Sequence, residues 1–214
     1  RRVLFRSHEG AVLSLSFSPN GKMLAMASSD NTARLLTLDG SQIAEFVGHE
    51  GWVNSVSFSP DGKMLATAGD DKTARLWDLE GNQIAEFAKH QGKVFRVSFS
   101  PDGKTLATVS NDRSIRLWNI KCQQIANFAD HSEVSWSVSF SPDGKLIATA
   151  SNDGNARLWD LRGSQIVQLA GHRDAVMSLS FSPDGKLIAT GSSDRTACLW
   201  DVGGKQIVQL VGHL

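Results

Sequence analysis

Six histidines stand at His8, His49, His90, His131, His172 and His213, and each gap between neighbours is 41 residues. They are all the histidines the chain has. The five prolines, Pro19, Pro60, Pro101, Pro142 and Pro183, keep the same step. A strict period of about 40 residues means one supersecondary unit used repeatedly, each copy burying an apolar face against its neighbours. No segment interrupts the period, so residues 1–214 read as one domain with units at 8–48, 49–89, 90–130, 131–171 and 172–212.

One unit shows the plan. After His49 comes VNSVSFS (53–59), which alternates and is rich in β-formers. Pro60-Asp61-Gly62 follows, a turn in which proline pre-sets φ and glycine supplies φ > 0. KMLATAG (63–69), a tight turn at Asp70-Asp71-Lys72, TARLWDL (73–79), a turn at Glu80-Gly81-Asn82 and QIAEFAK (83–89) complete it. Four short strands separated by turns predict antiparallel β-structure, and no stretch sustains a 3.6-residue period. A four-stranded sheet has two faces to cover. Radial stacking covers both and shields most strand edges, which predicts an all-β propeller of five complete units.

The repeated dipeptides resemble the WD40 family. Trp77-Asp78, Trp159-Asp160 and Trp200-Asp201 match its Trp-Asp pair, and Gly48-His49, Gly171-His172 and Gly212-His213 match its Gly-His pair. Trp118-Asn119, Lys89-His90 and Asp130-His131 are near matches. The high similarity between units also resembles the WD40 arrays of bacterial signalling proteins. The resemblance implies a hydrogen-bonded tetrad of histidine, threonine, aspartate and tryptophan in each blade. The matching sets are His49, Thr67, Asp71 and Trp77; His90, Thr108, Asp112 and Trp118; His131, Thr149, Asp153 and Trp159; and His172, Thr190, Asp194 and Trp200. The chemistry suits burial: an indole N–H needs an acceptor, and a threonine hydroxyl takes it and donates onward to imidazole. A catalytic nucleophile–His–Asp set is defined by one geometry at one site, so repetition speaks for structure. A metal centre needs converging ligands, and one histidine per blade does not supply them.

The first unit departs from the pattern, with Met26 for threonine and Leu36 for tryptophan beside His8 and Asp30. Losing both together makes the same space apolar, so this blade is expected to pack without a tetrad.

Where the repeating residues build the scaffold, the differing ones are candidates for function. Three positions after each histidine stand Ala11, Trp52, Lys93, Val134 and Ala175. Five after stand Leu13, Asn54, Phe95, Trp136 and Met177. Just before each repeated aspartate stand Ser29, Asp70, Asn111, Asn152 and Ser193. The WD40 resemblance implies that these columns lie on the top face around the channel mouth, where many of the family's peptide sites are. Large aromatic and flexible apolar groups make binding hot spots, which singles out Trp52, Phe95, Trp136 and Met177. Lys93 and Arg96 add positive charge beside Phe95, and Asp70 and Asp174 add negative charge. The alternative for Trp52 and Trp136 is filling gaps between blades. The stripe Arg34, Arg75, Arg116 and Arg157 is a second candidate, for phosphate or nucleic acid; it shares a face with the tryptophans, so the alternative places its stems between blades with heads on acids or water.

Net charge is zero, with 22 basic and 22 acidic residues, which argues against a dedicated nucleic-acid binder. No apolar run approaches a membrane span. Cys122 and Cys198 have no partners at ligand spacing, which fits thiols in a reducing, cytoplasmic setting. No nucleophile, acid–base pair or cofactor motif stands apart from the repeat. The expected function is a non-catalytic interaction scaffold for a protein or peptide, within a larger signalling or regulatory protein. A small-ligand or carbohydrate-binding propeller is the alternative, although its recurring aromatic pockets are missing here.

Strand counting adds one more expectation. RRVLFRSH (1–8) aligns with QIAEFVGH (42–49), so residues 1–7 read as an extra fourth strand. Six fourth strands against five copies of the other three predict a segment of a longer array, a ring in which one terminal strand displaces the other, or association through open ends.

Overall fold

The structure, a computed structural model, describes residues 8–128 and 131–212. It is built from twenty strands in five four-stranded antiparallel sheets. Blade 1 holds β1 (Val12–Phe17), β2 (Met23–Ser28), β3 (Thr32–Thr37) and β4 (Gln42–Val47). Blade 2 holds β5 (Val53–Phe58), β6 (Met64–Gly69), β7 (Ala74–Asp78) and β8 (Gln83–Phe87). Blade 3 holds β9 (Val94–Phe99), β10 (Thr105–Ser110), β11 (Ile115–Asn119) and β12 (Gln124–Phe128). Blade 4 holds β13 (Ser135–Phe140), β14 (Leu146–Ser151), β15 (Asn155–Asp160) and β16 (Gln165–Ala170). Blade 5 holds β17 (Val176–Phe181), β18 (Leu187–Ser192), β19 (Thr196–Asp201) and β20 (Gln206–Val211). The strand order within every sheet is the chain order, a plain meander. The extra strand expected at residues 1–7, together with Asp130 and His213, lies outside the described residues.

Turns that need positive φ set the strand lengths. Gly62, at φ 69°, closes the Pro60-Asp61-Gly62 turn, where Ser59 Oγ donates to Asp61 and accepts the Met64 N–H. Lys72 takes φ 70° in the next turn, as do its counterparts Asn31, Arg113 and Arg195 within a few degrees. Blade 4 uses Gly154 there, which adopts that backbone at no steric cost.

The core is a series of junctions. Blade 1 offers Ala25, Ala27, Ala33, Leu35 and Phe46 to Val53, Val56, Leu65 and Trp77 of blade 2, all buried. Small alanines against a large indole let neighbouring sheets approach closely. Each fully buried leucine, phenylalanine or valine contributes about 1.5–3 kcal/mol of burial. The same trailing-on-leading pattern recurs at the next three junctions. The inner strands β1, β5, β9, β13 and β17 follow one another around a central channel. Hydroxyls align neighbouring blades across it: Ser14 Oγ accepts from the Val56 N–H at 3.4 Å and Ser55 Oγ from the Val97 N–H at 3.4 Å.

At the opposite rim each turn glycine faces the preceding blade's proline. A methyl group at Gly62 would stand 3.3 Å from Pro19 Cδ, and one at Gly103 would stand 3.4 Å from Pro60 Cδ. Gly144 against Pro101 and Gly185 against Pro142 repeat the contact at 3.4 and 3.3 Å.

Candidate functional site

The repeated polar residues are joined inside each blade. In blade 2, Trp77 Nε1–H donates to Thr67 Oγ1 at 2.8 Å, and Thr67 Oγ1 lies 2.8 Å from His49 Nε2. His49 Nδ1 lies 2.9 Å from Asp71. Because the hydroxyl accepts from indole, its own proton goes to Nε2, which leaves Nδ1–H to donate to the carboxylate. Blade 3 repeats the chain through Trp118, Thr108, His90 and Asp112. Blades 4 and 5 do so through Trp159, Thr149, His131 and Asp153 and through Trp200, Thr190, His172 and Asp194.

Each aspartate collects further donors. Asp71 accepts from Thr73 Oγ1 at 2.8 Å and from the Glu50 N–H at 3.1 Å. Ser114 and Thr196 do the same for Asp112 and Asp194 at 2.6 Å. Burial opposes ionisation of Asp71 and Asp112, but the imidazole and hydroxyl hydrogen bonds outweigh it and hold both carboxyls well below the usual range. Burial also pushes His90 below its ordinary value, against the pull of Asp112. The hydroxyl two residues after Asp30, Asp71, Asp112 and Asp194 is a member that the four-residue motif leaves out, and Asn155 takes its place beside Asp153. Its signal was present in the sequence as a recurring Asp-x-Thr or Asp-x-Ser, an Asx-turn pattern.

The arginine stripe is anchored by acids. Arg34 meets Glu45 at 2.8 Å, Arg75 meets Asp71 at 3.4 Å and Arg157 meets Asp153 at 2.7 Å. Arg116 reaches Asp112 at 3.7 Å and Gln124 at 3.3 Å. Arg157 also contacts His131.

Blade 1 carries a reduced set. Met26 and Leu36 are buried, but His8 keeps its bond to Asp30 at 2.8 Å and its Nε2 is buried without a partner among the described residues. The substitutions remove the threonine and the indole and leave the imidazole behind.

The three variable columns meet at one end of the blades. The Asp70 N–H donates to Trp52 O at 2.9 Å, and the Asn111 N–H donates to Lys93 O at 2.9 Å. Asn152 pairs in the same way with Val134. Asn54 Nδ2 donates to Asp70 at 2.8 Å and to Val94 O at 3.1 Å, and Lys93 Nζ pairs with Asp70, so blades 2 and 3 are latched here. Leu13, Asn54, Phe95, Trp136 and Met177 each occupy a register shift in the first strand of their blade. Such a β-bulge inserts an unpaired residue and re-aims its side chain. Sequence reasoning had no access to this, because the shift exists only in the pairing of two strands.

Trp52 is 53% exposed and Met177 is 43% exposed. Phe95 and Trp136 are half-buried against each other, with centroids 4.6 Å apart and planes tilted by 35°. The Trp136 indole nitrogen is buried and has no hydrogen-bond partner among the described residues. Arg96 lines the channel. Among the described residues no group of three or more His, Cys, Asp or Glu could hold a metal ion, and no helix is long and apolar enough to cross a membrane. Cys122 and Cys198 are unbridged.

Residues 11–214 match the family model described as the IFT122 first beta-propeller. No curated protein matches the chain.

Proposed function

We propose, for a chain that belongs to this WD40-type family of the IFT122 first beta-propeller, a non-catalytic scaffold that docks a protein or peptide on its bulged end. The observation that carries this reading is the Phe95–Trp136 pair. Two aromatic rings from adjacent blades form a half-exposed platform at 4.6 Å. The buried indole N–H of Trp136, without a partner among the described residues, wants an acceptor such as a peptide carbonyl. Trp52, Met177, Asn111 and Asn152 surround it at the same end, and the Asn54–Asp70–Lys93 latch supplies fixed charges. The repeated tetrads are satisfied internally, which leaves them to stability and not to chemistry. A cytoplasmic regulatory setting fits the unbridged cysteines.

Pull-down with the wild-type chain against Phe95→Ala and Trp136→Ala tests the platform. Partners recovered by the wild type and lost from both variants are expected. Equal recovery from all three would remove the bulged end as the docking site. A glycan array tests the carbohydrate alternative; hits that survive both substitutions would favour it.

A second reading rests on the two end faces. Phe17, on the leading face of blade 1, is 64% exposed, whereas Phe58 of blade 2 is 7% exposed. Leu210, on the trailing face of blade 5, is 54% exposed, whereas Leu169 of blade 4 is 0% exposed. One open face is a leading face and the other a trailing one, the two halves of every interior junction. A second copy of this chain carries the mate of each, so head-to-tail association is the occupant we propose. Light scattering of the chain, beside Phe17→Asp and Leu210→Asp, should show mass rising with concentration only in the wild type. A wild-type monomer at high micromolar concentration would refute it.

A further inference from the structure

The innermost strands carry two channel-facing columns. Six residues after each histidine stand Ser14, Ser55, Arg96, Ser137 and Ser178, and eight after stand Ser16, Ser57, Ser98, Ser139 and Ser180. Nine of these ten positions are serine, and the tenth is Arg96. Two serines of the first column, Ser14 and Ser55, each accept an N–H from the next blade. Arg96 gives up that bond.

What replaces it is a free positive charge. The channel cavity, of about 210 Å³, is lined by Arg96 and by Ser57, Ser98 and Ser139 among other serines, and by no acidic residue. A neighbouring hollow of about 430 Å³ is walled by Val12 to Leu15 and again by Arg96, so this side chain stretches from β9 toward β1. Among the described residues the Arg96 side chain makes no hydrogen bond and no ion pair. The stripe arginines contrast with it, since each reaches an acid. Ser57, Ser98 and Ser139 donate only to the carbonyl of the following residue, at 3.5, 3.5 and 3.3 Å. Bonds of that length are weak and readily redirected.

We propose that the central channel is an oxyanion site, with Arg96 as the charge and the second-column serines as neutral donors. A planar guanidinium holds a carboxylate or phosphate through two parallel N–H···O bonds, and hydroxyls complete the shell. The site is separate from the Phe95–Trp136 platform and does not depend on it.

The test is thermal unfolding of the full chain titrated with sodium phosphate or sodium acetate, against sodium chloride at matched ionic strength. The variants are Arg96→Ser and Arg96→Lys. Arg96→Ser places in blade 3 the residue that the other four blades already carry at this position, so it is compatible with the fold. Wild type should gain a saturable rise in melting temperature from at least one oxyanion. Arg96→Ser should lose it, with apparent affinity down tenfold or more, and Arg96→Lys should keep a weaker response. The anion that acts distinguishes a carboxylate from a phosphate source. An undiminished response in Arg96→Ser, or no response to either anion in the wild type, would overturn the proposal.

Discussion

His8 and Asp30 are bonded at 2.8 Å through Nδ1, while the other ring nitrogen of His8 is buried against no partner among the described residues. In the other four blades that nitrogen meets a threonine; blade 1 has Met26 at that position. Rebuilding the set should therefore be strongly coupled. Leu36→Trp alone brings in an indole N–H with no acceptor, and Met26→Thr alone trades apolar filling for a hydroxyl. Together they restore both links. A double-mutant cycle by urea unfolding should show a favourable coupling of about 1–3 kcal/mol, with Leu36→Trp alone no more stable than wild type. Simple additivity would contradict the tetrad logic.

A complete tetrad shows the opposite case. Thr108 links Trp118 at 2.9 Å and His90 at 2.7 Å, and all three are buried. Thr108→Val keeps the shape and orphans two groups at once. The expected cost is about 2–4 kcal/mol in chemical unfolding.

Cys122 takes φ 64° in a turn where Gly40, Gly81, Gly163 and Gly204 take 91–96°. A side chain in left-handed backbone costs roughly 1 kcal/mol, and glycine removes that strain. Cys122→Gly should raise the melting temperature, and Cys122→Val, with its β-branch, should lower it. A drop for the glycine variant would mean that the packing of Cys122 on the blade 2–3 junction outweighs the strain.

Acid should unfold the protein in two stages. The folded His90 titrates below its ordinary value, so it stays neutral in the fold; its contribution is full above about pH 6.5 and falls as pH drops below that. The carboxyls of Asp71, Asp112 and Asp153 are depressed on folding, so their contribution is full above about pH 4 and is lost as pH falls further. Melting temperatures from pH 8 to pH 3 should decline gently and then steeply. A maximum below pH 5 would be incompatible with these directions.

The period made most of the fold legible. Proline and glycine marked the turns, alternation marked the strands, and the repeated Trp, Thr, His and Asp found one another because each blade solves the same burial problem. The candidate site was legible only in part. The variable columns could be named, since comparison of units exposes them, and their shared end followed from the resemblance. Their aim could not be read, because Asn54, Phe95 and Trp136 sit in bulges created by pairing with the following strand. Arg96 lines the channel, which its adjacency to Phe95 did not reveal. His8 keeps its aspartate without the threonine and the tryptophan.

The proline–glycine contact at the far rim bears on how such a chain grows. Every blade brings a proline for its successor and a glycine for its predecessor, so each unit carries both halves of the seam. A duplicated or deleted unit therefore finds a matching seam without any change in its neighbours. The seam then carries no information about how many blades a chain has.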